Sequence, residues 1–62
     1  MIKIKLKIRH LSEKTDEFTV YLKFTDGIEP ILITTDFGKV LDKITAVKQA
    51  IQQVTNYPIE WL

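Results

Sequence analysis

The strongest constraint on the fold lies in the first nine residues. Ile2, Ile4, Leu6 and Ile8 alternate without exception with Lys3, Lys5, Lys7 and Arg9. Successive side chains of a strand point to opposite faces, so this period of two specifies a half-buried β-strand with an apolar face and a cationic face. A helix would scatter the four isoleucines and leucines around its circumference. "FTVYLKFT", residues 18–25, repeats the pattern, with Phe18, Val20, Leu22 and Phe24 on the core side and Thr19, Tyr21, Lys23 and Thr25 on the other. Between them "HLSEKTDE", residues 10–17, is polar and reads as a loop.

"DG" at 26–27 has the composition of a tight hairpin turn with left-handed backbone. A two-residue loop there pairs Thr25 with Ile28, Leu22 with Ile31 and Val20 with Ile33, leaving Glu29 opposite Phe24 near the turn. Pro30 has no N–H to donate, which puts the third strand at an edge.

The period changes after residue 35. Thr35 or Asp36 is placed to cap a helix. Phe37, Val40, Leu41, Ile44, Val47, Ile51 and Val54 then recur every three or four residues as one apolar stripe. A helix over about 37–55 would be about 28 Å long, close to the roughly 27 Å of an eight-residue strand. Gly38 suits a close approach at the helix start. Asn56 suits a left-handed cap, and Pro58 prevents continuation. Tyr57, Ile59 and Trp61 alternate, which fits either a short fourth strand or an extended packed tail.

The expected fold is therefore α+β: a three-stranded antiparallel sheet packed on one long helix, in the order β-β-β-α, with or without a short C-terminal strand. At 62 residues the chain is expected to form one compact domain, 1–62. Leu6, Leu22, Ile33, Ile44, Val47 and Ile51 are expected among its most buried residues. A chain of this size buries only about 60% of its unfolded surface, so a second copy or a larger assembly is a natural source of missing core.

Several function classes receive no support. There is no cysteine and one histidine, so neither a disulfide framework nor a thiolate metal site is expected. Gly27 and Gly38 match no phosphate-binding pattern, and no cofactor or small-molecule substrate is implied. His10 and Ser12, with Asp16 or Glu17 to orient the ring, contain the residue types of a nucleophile–base pair, but no oxyanion site accompanies them. No apolar run is long enough to cross a membrane, and the N-terminal residues interleave charge with hydrophobicity rather than forming a signal peptide. The expectation is a non-catalytic cytoplasmic protein.

Two binding readings remain. The net charge is +1. Residues 1–10 hold four basic groups and no acid, whereas the remainder holds five lysines and eight acids. The favoured reading is a protein-interaction module, a homodimer or a subunit of a larger assembly, with Tyr21, Ile28, Leu32, Tyr57 and Trp61 as the candidate interface. The alternative is a DNA- or RNA-binding sheet that uses Lys3, Lys5, Lys7, Arg9, Tyr21 and Lys23. Lysines on an edge strand also have a structural use, since they discourage edge-to-edge pairing.

Overall fold

The computed structural model of the protein describes residues 2–55 and 58–62. Strands β1 (Ile2–Ser12), β2 (Thr15–Phe24) and β3 (Gly27–Thr34) precede helix α1 (Phe37–Gln52), and β4 (Ile59–Trp61) follows it. The sheet order is β3-β2-β1-β4. The first three strands are antiparallel, and β4 joins β1 in parallel. The expected α+β architecture is present, and the C-terminal alternation forms the fourth strand.

The alternation read from the sequence assigns the faces of β1 and β2 correctly. Ile4, Leu6 and Ile8 pair with Leu22, Val20 and Phe18, and this face meets the helix. Ile4, Val20, Val40 and Ile44 form the buried cluster, with Leu6, Phe18, Leu22, Ile31, Leu32 and Ile59 packed around it. Of the six residues expected at the centre, Ile44 is buried and Leu6, Leu22, Val47 and Ile51 are half-buried. Ile33 is 61% exposed.

The Ile33 error follows from the register of β3. The observed pairs are Phe24–Gly27, Lys23–Ile28, Leu22–Glu29, Tyr21–Pro30, Val20–Leu32 and Thr19–Ile33. The turn is therefore Thr25–Asp26, Gly27 already belongs to β3, and no described residue has positive φ. A bulge at Ile31 inserts one residue between Pro30 and Leu32. Both Ile31 and Leu32 thereby reach the core cluster, while Ile33 turns to the open face. Bulges accommodate proline because the ladder is already interrupted there. Three consecutive apolar residues, Ile31, Leu32 and Ile33, carry no alternation with which to choose a register.

The segment 10–17 is a second correction, because it is strand rather than loop. β1 and β2 continue to a turn at Glu13–Lys14, with an irregularity between His10 and Ser12. Polar composition does not prevent pairing in a hairpin end with little to bury. His10 stands opposite Asp16 and Arg9 opposite Glu17, and an opposite-charge pair such as the latter supports an antiparallel ladder.

Asp36 caps the helix as expected: its Oδ1 accepts from the Gly38 N–H at 2.9 Å, and Thr34 Oγ1 accepts from the Asp36 N–H at 3.1 Å. A Cβ on residue 38 would lie 3.2 Å from that Asp36 oxygen, so glycine permits the close approach. The helix has 16 residues and stops at Gln52, short of the expected 55, with Gln53 as a right-handed cap. Asn56 lies outside the described residues.

These lengths shape the molecule. The helix is about 24 Å long, while the 11-residue β1 is about 36 Å long. The helix cannot cover the whole hairpin. The extents are 41 × 23 × 14 Å, and the radius of gyration is 12.5 Å, against about 10.6 Å for a compact chain of this length.

Candidate functional site

The face of the sheet away from the helix is built row by row from the strand register. Glu60, Lys3, Lys23 and Ile28 form one row across all four strands. Lys5, Tyr21 and Pro30 form the next, followed by Lys7, Thr19 and Ile33, and then Arg9 and Glu17. The face thus carries five cations and two carboxylates. Its β1 side is cationic, and its β3 side is apolar. Lys7, Arg9, Glu17, Thr19, Tyr21, Pro30 and Ile33 line a shallow depression of about 260 Å³. Thr19 lies buried at its floor because its longer neighbours rise around it.

The nucleic-acid candidates Lys3, Lys5, Lys7, Arg9, Tyr21 and Lys23 are therefore brought together on one face. The protein-interface candidates are not. Tyr21 and Ile28 share the open face, whereas Leu32 is half-buried against the core on the opposite face. The bulge reverses the face on which it was expected. Trp61 pairs with Ile4, which puts it on the helix side, where Lys48 Nζ stands 6.0 Å from the ring centroid. Tyr57 lies outside the described residues.

A second apolar surface was not anticipated. Ile8 pairs with Phe18, and the Phe18 ring meets Phe37 edge-on with centroids 5.3 Å apart. Leu41 lies one helical turn beyond Phe37. Ile8, Phe37 and Leu41 are all exposed, forming a ledge beside the far end of the hairpin. The sequence contains a signal for it. Val40 and Leu41 are adjacent in a stripe that also begins at Phe37, so the apolar sector is too wide for a single sheet contact to cover.

His10 Nδ1 and Asp16 Oδ1 are 2.5 Å apart near the exposed end of the hairpin, beyond the ledge. Among the described residues, no group of three or more histidine, cysteine or acidic side chains is arranged to hold a metal ion. No described helix is long and apolar enough to cross a membrane.

Comparison with protein-family models, with curated proteins and with solved structures gave no match.

Proposed function

We propose that this chain is a small non-catalytic protein-interaction module of the cytoplasm, acting as a homodimer or as a subunit of a larger assembly. The supporting observation is its distribution of apolar side chains. Among the described residues four hydrophobic ones are buried, whereas ten large ones are exposed: Ile8, Leu11, Phe24, Ile28, Ile33, Phe37, Leu41, Val54, Trp61 and Leu62. The accessible surface is 4756 Å² for a mass of 7.2 kDa, against about 4,100 Å² for a typical folded monomer of that mass. The excess of about 600 Å² approaches the roughly 800 Å² that each partner contributes to a standard interface. A second copy seated on the Ile8–Phe37–Leu41 ledge would cover the part of this surface that lies on the helix side.

Mass measurement in solution tests this reading. A dimer is expected, and Phe37→Ser with Leu41→Ser should convert it to a folded monomer. A wild-type chain that is strictly monomeric and recovers no protein from its native cell would refute the proposal.

The second reading, a nucleic-acid-binding sheet, draws on the collection of five cations around Tyr21 on one open face. Phosphate contacts by these groups would release counterions, so binding would weaken steeply with salt. Under this reading, Lys3→Gln, Lys5→Gln and Lys7→Gln together remove most of the affinity while sparing the fold, and Tyr21→Ala weakens single-stranded binding by about 1–3 kcal/mol. Titration with duplex and single-stranded DNA and RNA decides between the two. Submicromolar, salt-sensitive binding lost in the triple variant would replace the interaction module with this second function.

A further inference from the structure

The outer edge of β1 changes character along its length. β4 covers it at Ile2, Lys3 and Ile4, and a further hydrogen bond on this edge runs from the Leu62 N–H to the Ile4 carbonyl at 2.9 Å. Backbone groups alternate in direction along a strand. The N–H and C=O groups of Leu6 and Ile8 therefore point outward in their turn, where no described strand pairs with them. Lys5, Lys7 and Arg9 flank this stretch on the open face, and all three side chains are exposed. On the helix side Leu6 is half-buried and Ile8 is exposed.

We propose that this edge receives an extended acidic peptide segment as an added strand. The segment has carboxylates at alternate positions and apolar residues between them. The inference rests on the protein-interaction reading and names the chemistry of the partner. Main-chain hydrogen bonds to Leu6 and Ile8 supply the attachment, and the side-chain alternation supplies selectivity. Residues directly opposite in neighbouring strands share a face. The carboxylates of the segment therefore line up beside Lys5, Lys7 and Arg9, and its apolar residues lie beside Leu6 and Ile8.

The same charges exclude a second copy of β1 from this edge. Antiparallel self-pairing through the outward groups matches even-numbered residues with even and odd with odd. Positions 3, 5, 7 and 9 are all cations, so the central registers set cation against cation, which is unfavourable. Edge lysines that prevent self-association thus admit a partner of opposite charge. The ledge, on the helix side, remains the surface for self-association.

A blocked octapeptide of alternating glutamate and valine tests the proposal, with an otherwise identical lysine–valine peptide as control. Binding to the full chain is followed by fluorescence anisotropy, and its position by amide NMR. The glutamate peptide should bind, shift the Leu6 and Ile8 amides and protect them from exchange. The lysine peptide should bind at least about tenfold more weakly, and the difference should shrink with rising salt. Lys5→Glu with Lys7→Glu should reverse the order of the two peptides. Both side chains are exposed, so the exchange leaves the core intact. Ile8→Pro, which deletes one outward donor, should weaken glutamate-peptide binding by about fivefold; if this variant fails to fold, the charge reversal still decides.

Equal binding of both peptides would overturn the proposal. So would amide shifts confined to Thr19 and Tyr21, which would place the peptide on the open face, or no binding of the glutamate peptide up to about 1 mM. A dimer disrupted by the ledge substitutions, together with any of these results, would sink the acidic strand and leave the broader interaction reading standing.

Discussion

Ile4 and Ile8 occupy the same strand and the same face, four residues apart, yet Ile4 is 1% exposed and Ile8 is 52% exposed. Ile4 lies where α1 crosses the sheet, in contact with the cluster formed by Val20, Val40 and Ile44. Ile8 is paired with Phe18, whose ring meets Phe37 at the start of the helix, but is itself left uncovered. The difference shows that one hairpin contains two regimes. Near Ile4 the sheet is held by burial. From Ile8 to the Glu13–Lys14 turn it is held by backbone pairing and by charged partners such as Arg9 opposite Glu17. The first regime makes the fold, and the second leaves apolar and cationic surface exposed.

The largest expected effect tests that division directly. Ile4→Ala should destabilise the protein by about 2–5 kcal/mol, because it leaves a cavity in the sealed cluster. That is comparable to the whole stability of a chain this small, roughly 3–5 kcal/mol. Ile8→Ala should cost under about 1 kcal/mol in the monomer, since much of its side chain is already in water. Urea unfolding of both variants measures the contrast, and equal losses would erase it.

Asp36→Ala comes next, at about 1 kcal/mol, for loss of the bond from its carboxylate to the Gly38 N–H. The cap holds the helix end that carries Phe37, so this variant should also loosen the ledge. The smallest effect is seen without mutation. Amide exchange at Ile4 and Val20 should require nearly global unfolding, whereas amides from Arg9 to Asp16 should exchange through local opening. Uniform protection along the hairpin would show that its far end is covered in solution, which dimerisation through the ledge would produce.

Much of the open face was legible in advance. The period of two alone placed Lys3, Lys5, Lys7 and Arg9 together, and with them Tyr21 and Lys23, because β2 alternates as cleanly as β1. The stripe from Phe37 to Ile51 identified the helix, and Asp36 identified its start. Leu32 and Ile33 were misassigned because a run of three apolar residues has no period, and the bulge at Ile31 exchanged their faces. The strands at 10–17 are not legible in the sequence because their polar composition matches that of a loop, although a projecting hairpin needs little apolar surface.

The sequence by itself determined which side of each alternating strand is apolar and where the helix begins. Both are local properties: side chains alternate along any strand, and a capping carboxylate acts on N–H groups two residues away. Only the tertiary structure decided which part of the apolar face is sealed. That depends on where a 16-residue helix lies on the sheet: it packs along β2 and β3 and reaches Phe18 through Phe37, which leaves Ile8 open on the neighbouring β1. Periodicity encodes direction but not coverage, because coverage is set by the relative lengths and placement of elements distant in the chain.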